Sequence, residues 1–294
     1  MILLAGGTGH LGTALRGLLT ERGQRVRVLT RDRARVASAS DGTTEFVEGD
    51  VRDQTSLARA LAGVDTVISA ITGFGPGGPG PRAVDLEGNR SLIRACETAG
   101  VRRFVLVSIH RARPDHPMEL YRAKHAAEQT LRGSRLDWTI IRPTVFMELW
   151  AGIIGGAARS SGKATIFGRG RNPVNFVSVR DVARFVERGA FDDALRGATL
   201  DVGGPEDLTF TEVVDTIRAT AGRPVTVHHV PLPVMRLGAL VMRALKPDIA
   251  RLIQAGVVMD TVDMTFDAAE LQRRYPEIRL TTLREVVGGA YATM

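Results

Sequence analysis

Through the first half of the chain, short apolar runs alternate with stretches in which apolar residues return every third or fourth position. The runs suit strands buried on both faces, and the spaced stretches suit helices with one buried face. Strands are predicted near Met1–Ala5, Arg25–Thr30, Thr44–Val47, Thr66–Ala70, Phe104–Ser108 and Trp138–Ile141. Helices are predicted over Leu11–Arg22, Thr55–Leu61, Ala83–Ala99 and Met118–Arg132, the third carrying Leu86, Leu92, Ile93 and Cys96 at helical spacing. This alternation specifies an α/β chain whose doubly wound sheet has six parallel strands. Right-handed crossovers bring the carboxyl ends of such strands to one edge, where ligands bind.

Beyond Pro143 the pattern loosens into short strands at Ala164–Phe167, Val174–Val177, Thr199–Val202 and Val225–Val230, between helices such as Asp181–Phe191 and Thr211–Ala221. Residues 1–150 therefore read as the sheet domain, with a strand and helix near 174–191 as candidates to return to it. Residues 151–294 read as a smaller α/β lobe that takes the substrate. Its apolar helices from Pro233 to Val258, with Met235, Met242 and the nearby Met259, are either ordinary core or the lining of an apolar pocket. The tract Gly73–Gly80 has neither helix nor strand propensity and leaves the fourth strand at the ligand edge, as a lid or a plain connector.

The first strand runs into Gly6, Gly9 and Gly12, spaced three apart, with Thr8, His10 and Leu11 between them. Strand, glycine turn and helix in this order form a cradle for dinucleotide phosphates. Gly6 permits the turn, Gly9 lets backbone approach a pyrophosphate, and Gly12 lets the helix pack close to the strand. The helix N-terminus then offers free N–H groups and a favourable dipole to the phosphates. At the end of the second strand stand Arg31 and Arg33, where an NAD-selective site offers an acid to the ribose. A guanidinium there favours a 2′-phosphate, and so NADP(H) over NAD(H). Asp32 is the competing residue, as a ribose ligand or a cap. After the third strand, Asp50 is a candidate partner for the adenine amino group beside Val51, and Asp53 reads as a helix N-cap. Ala70, Ile71 and Thr72 leave the fourth strand beside the ribose and nicotinamide.

Composition narrows the class. The 294 residues, 44% hydrophobic, suffice for one large domain with an appended lobe. The single Cys96 excludes an internal disulfide framework and suits a reducing cytoplasm. The net charge of +7 is spread over scattered arginines, densest from Arg22 to Arg35, without the aromatic-interleaved basic stripe of nucleic-acid binders. No nucleic-acid partner is expected. No membrane partner is expected either, because Arg236 and Arg243 interrupt the apolar run from Leu232 to Leu245. A cytoplasmic protein follows from these readings.

Ser108 ends the fifth strand on the ligand edge, and the next helix brings Tyr121 and Lys124 to one face. The chain has three lysines against thirty-six arginines, so a lysine here points to a need for a compact, titratable ammonium. A surface ion pair with Glu128 is the alternative role. His110 and His116, in the loop after Ser108, are lesser candidates as proton donors. His228 and His229 have no partner at metal-ligand spacing, and no metal is expected.

Several motifs carry a family resemblance: AGGTGHLG, VDLEGN at Val84–Asn89, AGVRRFVLVS at Ala99–Ser108, YRAKHAAEQTL at Tyr121–Leu131, DWTIIRPTVFMEL at Asp137–Leu149, VSVRDVARFV at Val177–Val186 and GGPEDLTFTEVV at Gly203–Val214. Together they resemble the atypical short-chain dehydrogenases/reductases of the NmrA-like and nucleoside-diphosphate-sugar-epimerase-like group. The resemblance implies a Rossmann domain that binds NAD(P)(H), with Pro143, Thr144 and Phe146 beside the nicotinamide and a C-terminal substrate lobe. One departure stands out. Catalytic members of the wider superfamily carry Tyr four residues before Lys, and this chain has Leu120 there, with Tyr121 one place on. One residue is a turn of about 100° on a helix.

The expectation is an NADPH-dependent reductase that transfers hydride to a carbonyl, quinone, or activated alkene or imine of a small apolar substrate. Its catalytic residues would be Lys124, Tyr121 and Ser108, and Lys124 would also orient the cofactor. The alternatives are a catalytically silent NAD(P) sensor with a protein partner and, against Leu120, a sugar-nucleotide epimerase or dehydratase.

Overall fold

The computed structural model describes residues 1–33, 43–220 and 224–289. Arg35 and Ala221, which ended the basic cluster and one expected helix, lie outside them. Along the chain run β1 (Ile2–Ala5), α1 (His10–Glu21), β2 (Val26–Thr30), β3 (Thr44–Glu48), α2 (Gln54–Leu61) and β4 (Thr66–Ser69). A π-helical segment (Arg82–Gly88) then leads into α3 (Asn89–Ala99), β5 (Arg103–Val107), α4 (Glu119–Arg132), β6 (Asp137–Pro143) and β7 (Val145–Phe146). There follow α5 (Met147–Ser161), β8 (Lys163–Phe167), β9 (Val174–Val177), α6 (Val179–Phe191), β10 (Ala198–Val202), β11 (Asp207–Leu208) and α7 (Phe210–Thr220). The last elements are β12 (Thr226–Val230), α8 (Leu232–Leu245), α9 (Pro247–Thr261), α10 (Ala269–Arg274) and α11 (Leu283–Gly289).

The chain forms two compact units, one of residues 1–74, 78–143 and 182–201 and the other of the remainder. The first is built on a seven-stranded parallel sheet of order β10-β6-β5-β4-β1-β2-β3. Six strands were expected, and the seventh is β10. Its residues follow a long excursion of the chain, so local pattern alone does not show that they pair beside β6. The central strands β1, β4 and β5 are buried at every position, which is why they read as unbroken apolar runs. Their outward faces close on Leu57, Leu61, Leu92, Ile93, Cys96 and Leu131 from the flanking helices. Asp53 caps α2 as expected, accepting from Thr55 N and Ser56 N. Strand order reverses between β1 and β4, which creates the crevice used for ligands in such sheets.

The long helix expected over Ala83–Ala99 begins instead as π-helix. The wider turn lets Asp85 and Asn89, both fully buried, face inward together. Asn89 Nδ2 donates to Asp85 O at 2.8 Å, and Ser69 Oγ of β4 donates to Asn89 Oδ1 at 2.6 Å.

The second unit contains a three-stranded sheet, β11-β9-β7, and a parallel pair of β8 with β12. Met147, Ile154, Phe176, Phe210, Val213 and Ile217 make its core. Its polar centre is Asn175, 1% exposed, whose Oδ1 accepts from Thr144 Oγ1 and Gly204 N and whose Nδ2 donates to Asp207 Oδ1. Helix α8 buries only Met235, and it leaves Val234, Leu237, Leu240, Val241 and Leu245 exposed. No helix among the described residues is long and apolar enough to cross a membrane.

At Gly204 an added Cβ would stand 1.8 Å from Phe176 O. Backbone cannot yield there without breaking the Asn175 network, so Gly204→Ala is expected to destabilise the protein by at least about 2 kcal/mol in chemical denaturation.

Candidate functional site

The glycine turn divides its duties between packing and access. A Cβ on Gly12 would lie 2.2 Å from Gly6 O, so glycine is what allows α1 to start against the turn. Gly6, at φ +89°, lies so close to β4 that a Cβ would meet Ala70 O at 2.5 Å. Gly9 differs. A Cβ there would meet only Gly6 O, at an ordinary 3.6 Å, and the residue is exposed. No packing within the protein demands glycine at this position, whereas a phosphate laid against the backbone would. Gly9 is also the N-cap of α1, with no side-chain cap and no acid in the first turn. The N–H groups of that turn, with the positive end of the dipole, are left for an anion.

A cavity of about 230 Å³ opens beside this turn. Gly6, Thr8 and Gly9 line one wall, Arg31 and the end of β2 another, Asp50 and Val51 a third, and Ala70, Ile71 and Thr72 the last. The structure therefore gathers nine of the residues singled out from the sequence around one opening. His10 is exposed at the start of α1, while Leu11 and Gly12 are buried beneath it. Arg33 is not at this opening; it lines a separate depression along β3 with Arg25, Thr44 and Glu45. Pro143 ends β6 in the first unit, and Thr144 and Phe146 belong to the second.

Arg52 escaped the sequence reading. It lines the cavity and grips Asp50 with two side-chain bonds, Nε to Oδ1 at 2.9 Å and Nη2 to Oδ2 at 2.7 Å. The Arg52 hydrogen bonds hold the Asp50 carboxyl below its usual range, with Arg31 adding to the effect. Both Asp50 oxygens are thus engaged by a cation, which competes with any role toward an adenine amino group. Two arginines, Arg31 and Arg52, flank one carboxylate here, and the local balance is positive. The signal available in the sequence was an arginine two places after Asp50.

Lys124 neither reaches the surface nor pairs with Glu128. It is 5% exposed, and its ammonium donates to Ile71 O and Val107 O, each at 2.9 Å, with Asp85 Oδ1 at 3.1 Å. Two of its protons are thus hydrogen-bonded to carbonyls, and the Asp85 carboxylate balances its charge as an ion pair. Asp85 Oδ2 accepts from Gly73 N at 2.8 Å and from Thr72 Oγ1. The pair therefore ties the ends of β4 and β5 to the π-helical segment, immediately behind the cavity wall. Asp85 was legible only as part of a quoted motif, and its pairing was not foreseen.

Ser108 and Tyr121 have other partners. Ser108 Oγ donates to Glu128 Oε1 at 2.5 Å, and Arg142 binds the same carboxylate through Nε at 2.8 Å and Nη2 at 2.6 Å. Tyr121 is buried and stacked on His116, with ring centroids 3.7 Å apart, and burial pushes its phenol up to about 12. A tyrosinate at neutral pH is thereby disfavoured, in keeping with the shift of Tyr away from the family position. His110, half-buried in the same loop, contacts Asp201 Oδ1 through Nδ1 at 2.8 Å. The residue after it, Arg111, has φ +60°, the one positive φ outside glycine among the described residues. His229 Nδ1 contacts Gly168 O, and His228 is exposed.

A family model described as NAD(P)H-binding matches residues 6–192. Among curated relatives, the photosystem II assembly factor Ycf39 of Synechocystis is 30% identical over 80% of this chain and 72% of its own length. The NAD(P)H azoreductase of Xenophilus azovorans is 31% identical over 76% of this chain and 75% of its own. Among solved structures, the Citrobacter triphenylmethane reductase complexed with NADP(H) superposes with a TM-score of 0.78 at 19% identity, covering 98% of this chain and 99% of that one.

Burial, reinforced by Arg113 and Arg122, pushes His116 down to about 4 from an ordinary 6.5. The unfolded chain takes up this proton first, so stability is full above about 6.5 and falls as pH drops toward about 4. Denaturation at about pH 5 should show a loss near 2 kcal/mol relative to neutrality, and His116→Gln should abolish that dependence.

Proposed function

The chain belongs to the NAD(P)H-binding family, and from that premise we propose that it is an NADPH-dependent reductase acting on a carbonyl, quinone, or activated alkene or imine of a small apolar substrate. One observation carries the cofactor: an acid-free helix N-terminus whose Gly9 meets no crowding from protein, opening on a cavity flanked by Arg31 and Arg52. The N–H groups of the first turn of α1 would hold the pyrophosphate, and the arginines would hold the 2′-phosphate. When bound, the nicotinamide supplies a hydride. The reductase relatives support the reaction class.

Lys124 acts here as a positioning residue. It is held by Ile71 O and Val107 O and paired with the buried Asp85, so it shapes the wall rather than delivering a proton. Arg142 and Ser108 likewise hold Glu128. A second reading, a cofactor-binding protein that docks a partner without turnover, is favoured by the engagement of these side chains within the protein and by the Ycf39 relative.

Calorimetric titration with NADPH and NADH, followed by NADPH oxidation against quinones and carbonyls, separates the two. Binding with turnover supports the reductase, and binding without turnover on any acceptor supports the docking protein. Arg31→Ala is expected to weaken NADPH by about tenfold while leaving NADH nearly unchanged; equal losses would remove the 2′-phosphate role. Lys124→Ala should strand the buried Asp85 and lower stability by about 3–5 kcal/mol, read as a fall in the denaturation midpoint.

A further inference from the structure

We infer that Asp50, although an acid beside an anion site, strengthens the binding of NADP(H) by acting as the positioning residue for Arg52; this rests on the cofactor reading above. Strands β2 and β3 pair in register as far as Thr30 and Glu48, so Arg31 and the turn that carries Asp50 leave adjacent strands side by side. Gly49 N donates to Thr30 O at 2.9 Å and holds them there. The turn is closed on itself. Asp53 N donates to Asp50 O at 2.9 Å, while Ser56 Oγ accepts from Asp50 N at 3.1 Å and donates to Asp53 O at 2.9 Å. Arg52, at the third position of this turn, donates its backbone N to Asp50 Oδ1 at 2.9 Å in addition to its two side-chain bonds. One carboxylate thus fixes both the main chain and the side chain of the arginine.

A guanidinium carries five N–H groups in one plane. Asp50 takes the Nε proton and one proton of Nη2, which leaves three, and these make no hydrogen bond among the described residues. The remaining edge, Nη1 with Nη2, has the shape that meets two phosphate oxygens at once. Arg31 lines the same cavity and makes no hydrogen bond among the described residues either. A long side chain that must be ordered when its ligand arrives weakens the complex, and Asp50 orders this one beforehand. Its own repulsion of a phosphate is muted by the two-bond ion pair. Arg52, with Arg31 adding to the effect, keeps the carboxyl ionised at neutral pH. An Asp50 that instead read the adenine amino group would serve both cofactors alike, since adenine is common to them.

The test is calorimetric titration of the full chain with NADPH and with NADH, for the wild type, Asp50→Asn, Arg52→Ala and the double variant, with melting temperatures taken on the same preparations. Asparagine retains an oxygen to accept from Arg52 N, so the turn is kept while the charge and the second acceptor are lost. Arg52→Ala is expected to weaken NADPH about tenfold and Asp50→Asn about fivefold, each changing NADH by less than about twofold. Without Arg52, Asp50 is a bare acid near a phosphate. The same Asp50→Asn change made in Arg52→Ala should therefore tighten NADPH, a reversal of sign that only a role through Arg52 produces. Tighter or unchanged NADPH binding by Asp50→Asn alone, equal losses of NADPH and NADH, or a loss that persists without Arg52 would overturn the assignment and leave the NADPH reading standing. A wild-type protein that binds NADPH no better than NADH would overturn both.

Discussion

The buried ion pair of Lys124 and Asp85 sets the terms for the rest of the sheet edge. A charge placed where no water reaches it must find its partners in the protein, and this lysine finds two strand-end carbonyls and one carboxylate. Those acceptors come from three separate elements, so satisfying one side chain fixes the relative positions of β4, β5 and the π-helical segment. The cavity wall at Ala70–Thr72 inherits its shape from that requirement. Arginine, so abundant elsewhere, would not serve: its planar fork cannot meet three acceptors gathered around a point.

A second layer of charge works at the opposite wall. Asp50 orders the Arg52 guanidinium at the cavity, and Arg31 lines the same opening near the place a phosphate would take. The contrast between the two walls is physical. One is dry and neutralised, and it supplies shape. The other is wet and cationic, and it supplies attraction.

Much of this was readable in advance because it is local. A glycine turn between a buried strand and a helix, an arginine after β2 and small residues after β4 are each specified within a few positions, and they converge in the structure. What escaped was set by distant partners. Periodicity placed Lys124 on a helix face but not against Asp85, because the two approach only once the sheet has closed. The seventh strand needed the same global information. Ser108 and Tyr121 look available in sequence, yet one is taken by Glu128 and the other by the ring of His116, from a loop whose course no spacing rule supplies.

The π-helical segment before α3 also has a history written into it. A π turn is an α-helix that carries an extra residue, so the natural event that creates or erases one is a single-codon insertion or deletion. Losing one residue between Arg82 and Gly88 would rotate the upstream side chains by about 100° relative to α3 and swing Asp85 away from its lysine. This stretch of the gene should therefore tolerate substitutions on its exposed face far more readily than any change in length.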